Sequence, residues 1–384
     1  MNNHHEHKTP ILSFYSGGGF MDMGFEKAGF EIVWTNEVDE VFAKLHEAGI
    51  TSWRKARGNG IKAEIFNKKS ITEISAEKIV EEAFPKGKPE VFGIIGGPPC
   101  QDFTINGNME GFKGERGKLT VVFFDRILEL KPTFFVMENV TGLTKSKSSK
   151  EHLEKLLGRV EKQYYVAHKT LNALDFGVPQ FRERVFFIGI RKNKLDEDFI
   201  NKSLGGWFTF PVNKKYNGAA TKYKWATAVP FGKKLTKPKE LPLELCVEHC
   251  LVPQREMRNI PNAKEYFNLY VEEKELKKIG EGETNRPSFK RLHRFKYSPT
   301  ACYGNNEVHL HPYKNRRLSV RETLRIQGVE DSYVLPAELP LTKKFKMIGN
   351  GVPVPLAEAV ANAVKYFLKD NKVIQSLELY GHLV

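Results

Sequence analysis

Apolar residues along this chain come in short runs, separated by glycine-rich turns and by stretches in which apolar positions recur every three to four residues. Runs with the length and composition of strands stand at 11–15, 32–34, 91–95, 134–137 and 185–190. Between them, helices are predicted up to about residue 28, within 73–90, over 121–130 and over 151–163, with a last one over 356–368 behind Pro353 and Pro355. Strand alternating with helix predicts a doubly wound α/β sheet. From 192 to about 300 that alternation lapses. Lysines, prolines and scattered aromatics such as Trp207, Phe210, Tyr223 and Trp225 mark a second, smaller unit there.

In an open α/β sheet ligands gather at the carboxyl ends of the strands, so the residues flanking each run are the candidate chemistry. The first run leads into Ser16-Gly17-Gly18-Gly19, a turn whose backbone can approach a ligand and whose amides open a helix. The second ends at Asn36-Glu37, where an acid is placed to accept from both hydroxyls of a ribose. Together these predict a nucleoside cofactor and leave NAD open. The third exits through Gly96-Gly97-Pro98-Pro99, free at the glycines and stiff at the prolines, and presents Cys100. A thiol held in that way reads as a nucleophile rather than as an inert buried cysteine. The fourth run ends at Glu138, which brings a carboxylate to the same rim. Before the fifth, strand alternation puts Arg182 and Arg184 on one face with Glu183 opposite. Residues 106–118, polar and glycine-laden, read as a mobile loop beside the thiol that closes over substrate.

Composition narrows the partner. The 384 residues carry Lys+Arg 60 against Asp+Glu 46, a net charge of +14 that suits a polyanion without separating DNA from RNA. Arg286, Lys290, Arg291, Arg294 and Lys296 fall close together with no acid among them and form a candidate nucleic-acid contact. Four cysteines in a chain this long argue against a disulfide framework. Cys246 and Cys250 lack a second distant pair, and His4, His5 and His7 lie in a short polar terminus, so neither group is read as a metal site. No run of about 18 apolar residues and no charged-then-apolar start occurs, and a cytoplasmic protein is expected.

Six segments stand in a telling order: Tyr15-Ser16-Gly17-Gly18-Gly19, Asn36-Glu37-Val38-Asp39, Gly97-Pro98-Pro99-Cys100-Gln101, Glu138-Asn139-Val140, Gln180-Phe181-Arg182-Glu183-Arg184 and Ile348-Gly349-Asn350-Gly351-Val352-Pro353. In that order they resemble the motifs of the cytosine-C5 DNA methyltransferases, and the likeness covers roughly residues 11–191 and 291–368. The resemblance implies a Rossmann-like methyltransferase sheet over 8–191 plus 345–384, a smaller target-recognition domain over 192–308 and a connecting hinge over 309–344. It implies S-adenosylmethionine as cofactor and S-adenosylhomocysteine as product, bound by Tyr15, Ser16, Gly17, Gly18, Gly19, Glu37 and Val38. Ser70, Ile71, Pro99, Leu119, Asn350, Gly351 and Val352 would complete that site. Two positions depart from the pattern: Phe20 stands at a usual glycine, and Ser70 where an aspartate accepts from the adenine amine. Double-stranded DNA is the implied partner, contacted by Arg116, Gln180, Arg286, Lys290, Arg291 and Arg294. The setting implied is a bacterial restriction–modification system, with a monomeric enzyme and a restriction endonuclease acting separately.

The same resemblance implies the chemistry. Cys100 adds to C6 of a flipped-out cytosine and makes C5 nucleophilic. Glu138 hydrogen-bonds the ring N3 and the exocyclic amine, Arg184 holds O2, Arg182 braces Glu138 or a phosphate, and Pro99 fixes the approach. Three other readings stay open. Phe103-Thr104 is reminiscent of the tRNA-modifying branch, although the long variable region holds only Ala301-Cys302-Tyr303 and no Cys-Phe-Thr. A DNA-binding regulator that kept the fold is a second. A nicotinamide-dependent oxidoreductase, which would not need Pro-Pro-Cys-Gln, is a distant third.

Overall fold

A computed structural model of the chain describes residues 8–99, 115–145, 147–196, 200, 206–300, 303 and 308–371. Its centre is a six-stranded sheet in the order β2-β1-β3-β4-β6-β5. The strands are β1 (Pro10–Phe14), β2 (Glu31–Thr35), β3 (Gly93–Gly96), β4 (Phe134–Asn139), β5 (Tyr164–Asn172) and β6 (Glu183–Arg191). The first four run parallel, and β6 turns antiparallel between β4 and β5. The five predicted strands are all present. β5 is the addition: it lies at the sheet edge, and its exposed His168-Lys169-Thr170 interrupts the apolar pattern that would have announced it.

Helices α1 (Phe20–Lys27), α2 (Glu40–Ala56), α3 (Ala76–Ala83), α4 (Glu115–Leu130) and α5 (Lys147–Val160) connect or flank these strands. The C-terminal part adds α6 (Val320–Ile326), α7 (Leu341–Asn350) and α8 (Val354–Asp370). One expectation is corrected. The stretch expected to be loop as far as residue 118 is already helical from Glu115, while 106–114 lie outside the described residues. Asn350, in the segment that leads into the last predicted helix, is itself the last residue of α7, a helix the apolar pattern had not predicted.

The sheet is covered on both faces. One side packs Phe25, Phe134, Ile188, Leu356 and Val360 in a core that joins α1 to α8. The other packs Phe14, Phe123, Phe135, Leu156 and Tyr164 against α3, α4 and α5. A third cluster, around Trp53, Leu324, Tyr333 and Phe345, ties α2 to α6 and α7. The expected boundary at 192 does not divide the core. Trp207 and Phe208 each pack their rings 5.4 Å from Phe367 of α8, on the sheet side. Residues 309–344, expected as a hinge, contain the buried helix α6, whose Ser319 and Glu322 form a reciprocal N-terminal cap. Among the described residues no helix is long and apolar enough to cross a membrane.

The α1–α8 contact requires glycine at position 24. A Cβ built there would stand 2.5 Å from the Ala357 Cβ and 2.7 Å from the backbone nitrogen of Glu358. Gly158, inside α5, meets nothing within 4 Å. Gly24→Val is therefore expected to lower unfolding free energy by about 1–3 kcal/mol through overpacking. Gly158→Ala is expected to be neutral or stabilising by up to about 1 kcal/mol. Denaturant titration of both variants checks the contrast, and equal midpoints would refute it.

Candidate active site

A cavity of about 390 Å³ opens at the carboxyl ends of β1, β2, β3 and β4. Its first wall is the turn between β1 and α1. Gly17 and Gly19 adopt left-handed φ of 54° and 75°, which a side-chain-bearing residue would resist. Tyr15 also sits at a positive φ, held by its hydroxyl donating to the Leu119 carbonyl at 3.0 Å. Beneath the turn the Tyr333 hydroxyl donates to the Gly18 carbonyl at 2.8 Å. His46 leaves no room for a Cβ on Gly19, its Cε1 lying 2.8 Å from where one would stand.

The second wall carries the acid. Glu37 accepts from the Gly17 amide and the Asp39 amide, each at 2.9 Å. Burial raises its carboxyl above the ordinary range, and those two amides offset part of the rise. Val38 stands exposed at the rim. Asn36 donates from Nδ2 to the carbonyls of Asn67 and Lys69, which fixes the approach to Ser70 and Ile71. Ser70 bonds the neighbouring Thr72 hydroxyl at 2.8 Å. The third wall is C-terminal: Met347, Asn350, Gly351 and Val352 line it. Phe20 fills the space in front of Gly351, where a Cβ would meet the ring at 2.3 Å. It also packs edge-on to Tyr333 at 5.5 Å. The Phe20 departure is thus matched by the glycine facing it.

The floor continues into Gly97, Pro98 and Pro99 and reaches Glu138 at the end of β4. A Cβ on Gly97 would stand 3.0 Å from the Glu138 Oε2, so glycine admits the carboxylate over the turn. Arg184 Nε lies 2.9 Å from Glu138 Oε1. Burial pushes the Glu138 carboxyl up, while Arg184 and then Arg182 pull it back. Asn139 Nδ2 donates to the Pro98 carbonyl at 3.4 Å and links this strand end to the proline turn. Cys100 lies outside the described residues, as do Ala301 and Cys302 and the side chain of Arg116.

The predicted residues therefore separate into two groups. Tyr15, Ser16, Gly17, Gly18, Glu37, Val38, Ser70, Ile71, Pro99, Leu119, Glu138, Arg184, Asn350, Gly351 and Val352 all line one cavity. Arg182 is buried and donates to the Gly349 carbonyl at 2.8 Å, so it ties the start of β6 to the C-terminal wall. Three expected DNA contacts are corrected because their side chains are turned inwards. Gln180 is buried and donates to Gln327 Oε1 at 3.0 Å, and Gln327 in turn donates to the Ile348 carbonyl at 2.6 Å. Arg291 is buried and gives its donors to the carbonyls of Leu276, Ile279, His311 and Lys314. Arg294 is clamped by both oxygens of the buried Glu281. Arg286 stays on the surface, paired with Glu283 at 3.2 Å. Both acids lie just upstream of the basic cluster, which is why the cluster looked unpartnered in sequence.

Asp22, Tyr333 and Gln327 shape the site and were given no role from the sequence, and Asn36 was read only as part of a motif. Asp22 has a legible signal, an acid in the first turn of a helix that follows a glycine turn. Its Oδ1 accepts from Ser13 at 2.6 Å, and His46 Nε2 lies 3.9 Å from Oδ2. Burial raises the Asp22 carboxyl to about 7 and lowers His46 to about 4. Since the folded state holds the Asp22 proton more tightly than the unfolded chain, this group stabilises fully below pH about 4. That contribution is lost as pH rises through about 7. His46, lowered by burial, gains stability over the same window as pH rises and so opposes Asp22. Asp22→Asn should therefore make the thermal midpoint rise with pH between about 4 and 7 relative to the unaltered protein, and parallel pH profiles would refute the assignment.

The comparisons with known proteins fall in line with this geometry. The family description "C-5 cytosine-specific DNA methylase" matches residues 10–366. The Type II methyltransferase M.NmeDI of Neisseria meningitidis serogroup C is 37% identical over 95% of this chain and 85% of its own length. M.FnuDI of Fusobacterium nucleatum is 32% identical over 95% and 96%. Among solved structures, a DNA modification methyltransferase encoded within an E. coli prophage superposes with a TM-score of 0.60 at 21% identity, covering 94% of this chain and all of its own. The S. pombe Dnmt2 methyltransferase gives 0.58 at 16%, covering 94% and 99%. At those identities the two structures bear on the fold.

Proposed function

Because the chain belongs to the C-5 cytosine-specific DNA methylase family, we propose that it methylates C5 of cytosine in duplex DNA through a covalent adduct at Cys100, with S-adenosylmethionine as donor. That it is a DNA (cytosine-5-)-methyltransferase of restriction–modification type rests on the family and on its Type II relatives. The single observation that carries the mechanism is Glu138, held by Arg184 at 2.9 Å over the Gly97-Pro98-Pro99 turn that leads to Cys100.

The lining residues fit the cofactor. The Gly17–Gly19 turn offers backbone to its amino-acid end, Glu37 stands where a ribose would be held, and Val38 and Ile71 offer apolar faces to an adenine. When bound, S-adenosylmethionine supplies an electrophilic methyl group. The protein supplies everything else. The Cys100 thiolate adds to C6, moving the ring's C5–C6 electron pair to C5. Glu138, whose burial favours its protonated form, hydrogen-bonds N3 and the exocyclic amine as charge develops on the ring. Arg184 is positioned to hold O2 as well as the Glu138 carboxylate. Arg182 braces the same group electrostatically while it anchors Gly349. Once C5 has taken the methyl group with that electron pair, a base removes the C5 proton, the C5–H pair re-forms the C5–C6 double bond and the C6–S bond breaks to release the Cys100 thiolate. The target ring has to leave the duplex to meet these groups.

In this reading the catalytic part comprises 8–191 and 345–384, although 372–384 lie outside the described residues. Target recognition belongs to 192–308, less the Trp207–Phe208 corner that completes the sheet core. The protein acts as a cytoplasmic monomer, with a cognate endonuclease working separately.

Full-length protein with tritiated S-adenosylmethionine should label duplex DNA as 5-methylcytosine and leave bulk tRNA unlabelled. Label in tRNA alone would transfer the protein to the tRNA-modifying branch, and none in either would remove the catalytic reading. Cys100→Ser should abolish labelling while duplex binding, read by fluorescence anisotropy, persists. Near-normal methylation by that variant would overturn Cys100 as nucleophile.

A further inference from the structure

The inward turn of Arg291 and Arg294 removes two of the phosphate contacts that the sequence suggested. The charge lies elsewhere. Residues 213–239 contain eight lysines and no acid, more than half of the net +14. Every one of the eight is exposed. Lys215 pairs with Glu244, and Lys222 donates to the Lys215 carbonyl. Among the described residues no carboxylate lies within ion-pair distance of Lys214, Lys224, Lys233, Lys234, Lys237 or Lys239. Lysines elsewhere on the same surface behave differently. Lys274, Lys277 and Lys278 each meet a glutamate, at 2.6, 2.9 and 2.7 Å.

The segment is anchored from its start to Phe231. Near its start, Tyr216 and Ala219 pack on Leu174, and the Ala219 amide donates to Asp175 at 3.1 Å. Near its middle, Trp225 packs edge-on to Tyr297 at 4.8 Å, and Tyr297 in turn lies 6.0 Å from Phe181. Phe181 stands three residues before Arg184, the partner of Glu138. Further on, the Val229 amide donates to the Glu281 carbonyl, and the Arg291 guanidinium lies 4.2 Å over the Phe231 ring. The buried Arg291 therefore holds this lobe in place. Packed anchors and six lysines with no carboxylate partner among the described residues make a cationic segment that is linked, through Trp225, Tyr297 and Phe181, to the start of the strand that carries Arg184. Such a segment suits a phosphate backbone, which has a dense, regular negative charge, better than a base edge, which lysine reads only singly.

We propose that the lysine lobe at 213–239 is the main phosphate-contacting surface for duplex DNA, supplying sequence-independent affinity that the inward-turned Arg291 and Arg294 do not. The inference rests on the methyltransferase reading and assigns its DNA backbone site. Neutralising a phosphate contact reduces the salt dependence of binding by about 0.9 in the slope of log K against log[salt]. The quadruple variant K233Q/K234Q/K237Q/K239Q should therefore show a slope shallower by about 2 to 4. Its duplex affinity at low salt should fall by tens of fold or more, at an unchanged thermal midpoint. The control K274Q/K277Q/K278Q, which removes lysines already neutralised by glutamates, should match the unaltered protein. A quadruple variant whose slope and affinity equal those of the unaltered protein would overturn the proposal, as would an equal loss in the control. If the unaltered protein methylates DNA and the lobe variant binds it normally, only the lobe assignment falls. If the unaltered protein methylates no DNA, the reading beneath it falls first. Loss of binding to an acidic protein but not to duplex DNA would equally refute the lobe as a DNA surface.

Discussion

The contact on which the molecule depends is the return of the chain's end to its beginning. α8 lies against α1 so closely that Gly24 has no room for a Cβ, and Gly351 faces Phe20 in the same way. This packing completes the cavity, because Met347, Asn350, Gly351 and Val352 form a wall that residues 8–191 do not provide. The contact joins segments more than three hundred residues apart, so its loop-closure entropy has to be offset by a large apolar interface. The shared core of Phe25, Leu356, Val360 and Phe367 supplies it.

Buried polar groups then give that packing a unique register. Gln180 reaches Gln327, which reaches the Ile348 carbonyl, and Arg182 reaches the Gly349 carbonyl. Both links tie the strand that carries Arg184 to the last turn of α7, which lines the cavity. Buried arginines play the same part elsewhere. Arg321 donates to the carbonyls of Pro261, Glu330 and Tyr333, and Tyr333 supports the glycine turn through Gly18. An unpaired donor in such an interior costs free energy, so each link selects one arrangement among the compact alternatives. The chain's positive charge is thus divided. Some arginines are architectural, and the lysines of 213–239 face solvent.

Much of the sheet and the site was legible because local sequence carries it. The apolar runs at 11–15, 91–95 and 134–137 became β1, β3 and β4, and the residues at their carboxyl ends met in one cavity as the sheet's topology requires. β5 was not legible, since an edge strand with a solvated face loses the alternation that announces one. The early start of α4 and the existence of α7 were hidden by glycine and polar residues whose helicity tertiary packing decides.

The sequence by itself determined the α/β class, the ligand end of the sheet, and the order of Gly17–Gly19, Glu37, Glu138 and Arg184, because turns and strand ends are local matters of backbone freedom and periodicity. The tertiary structure alone decided which charges act outwards. Arg291 and Arg294 look like nucleic-acid contacts beside one another in sequence, yet carbonyls of 276–314 and the buried Glu281 consume their donors. Whether a guanidinium meets solvent depends on partners brought together by folding, and no local pattern records them.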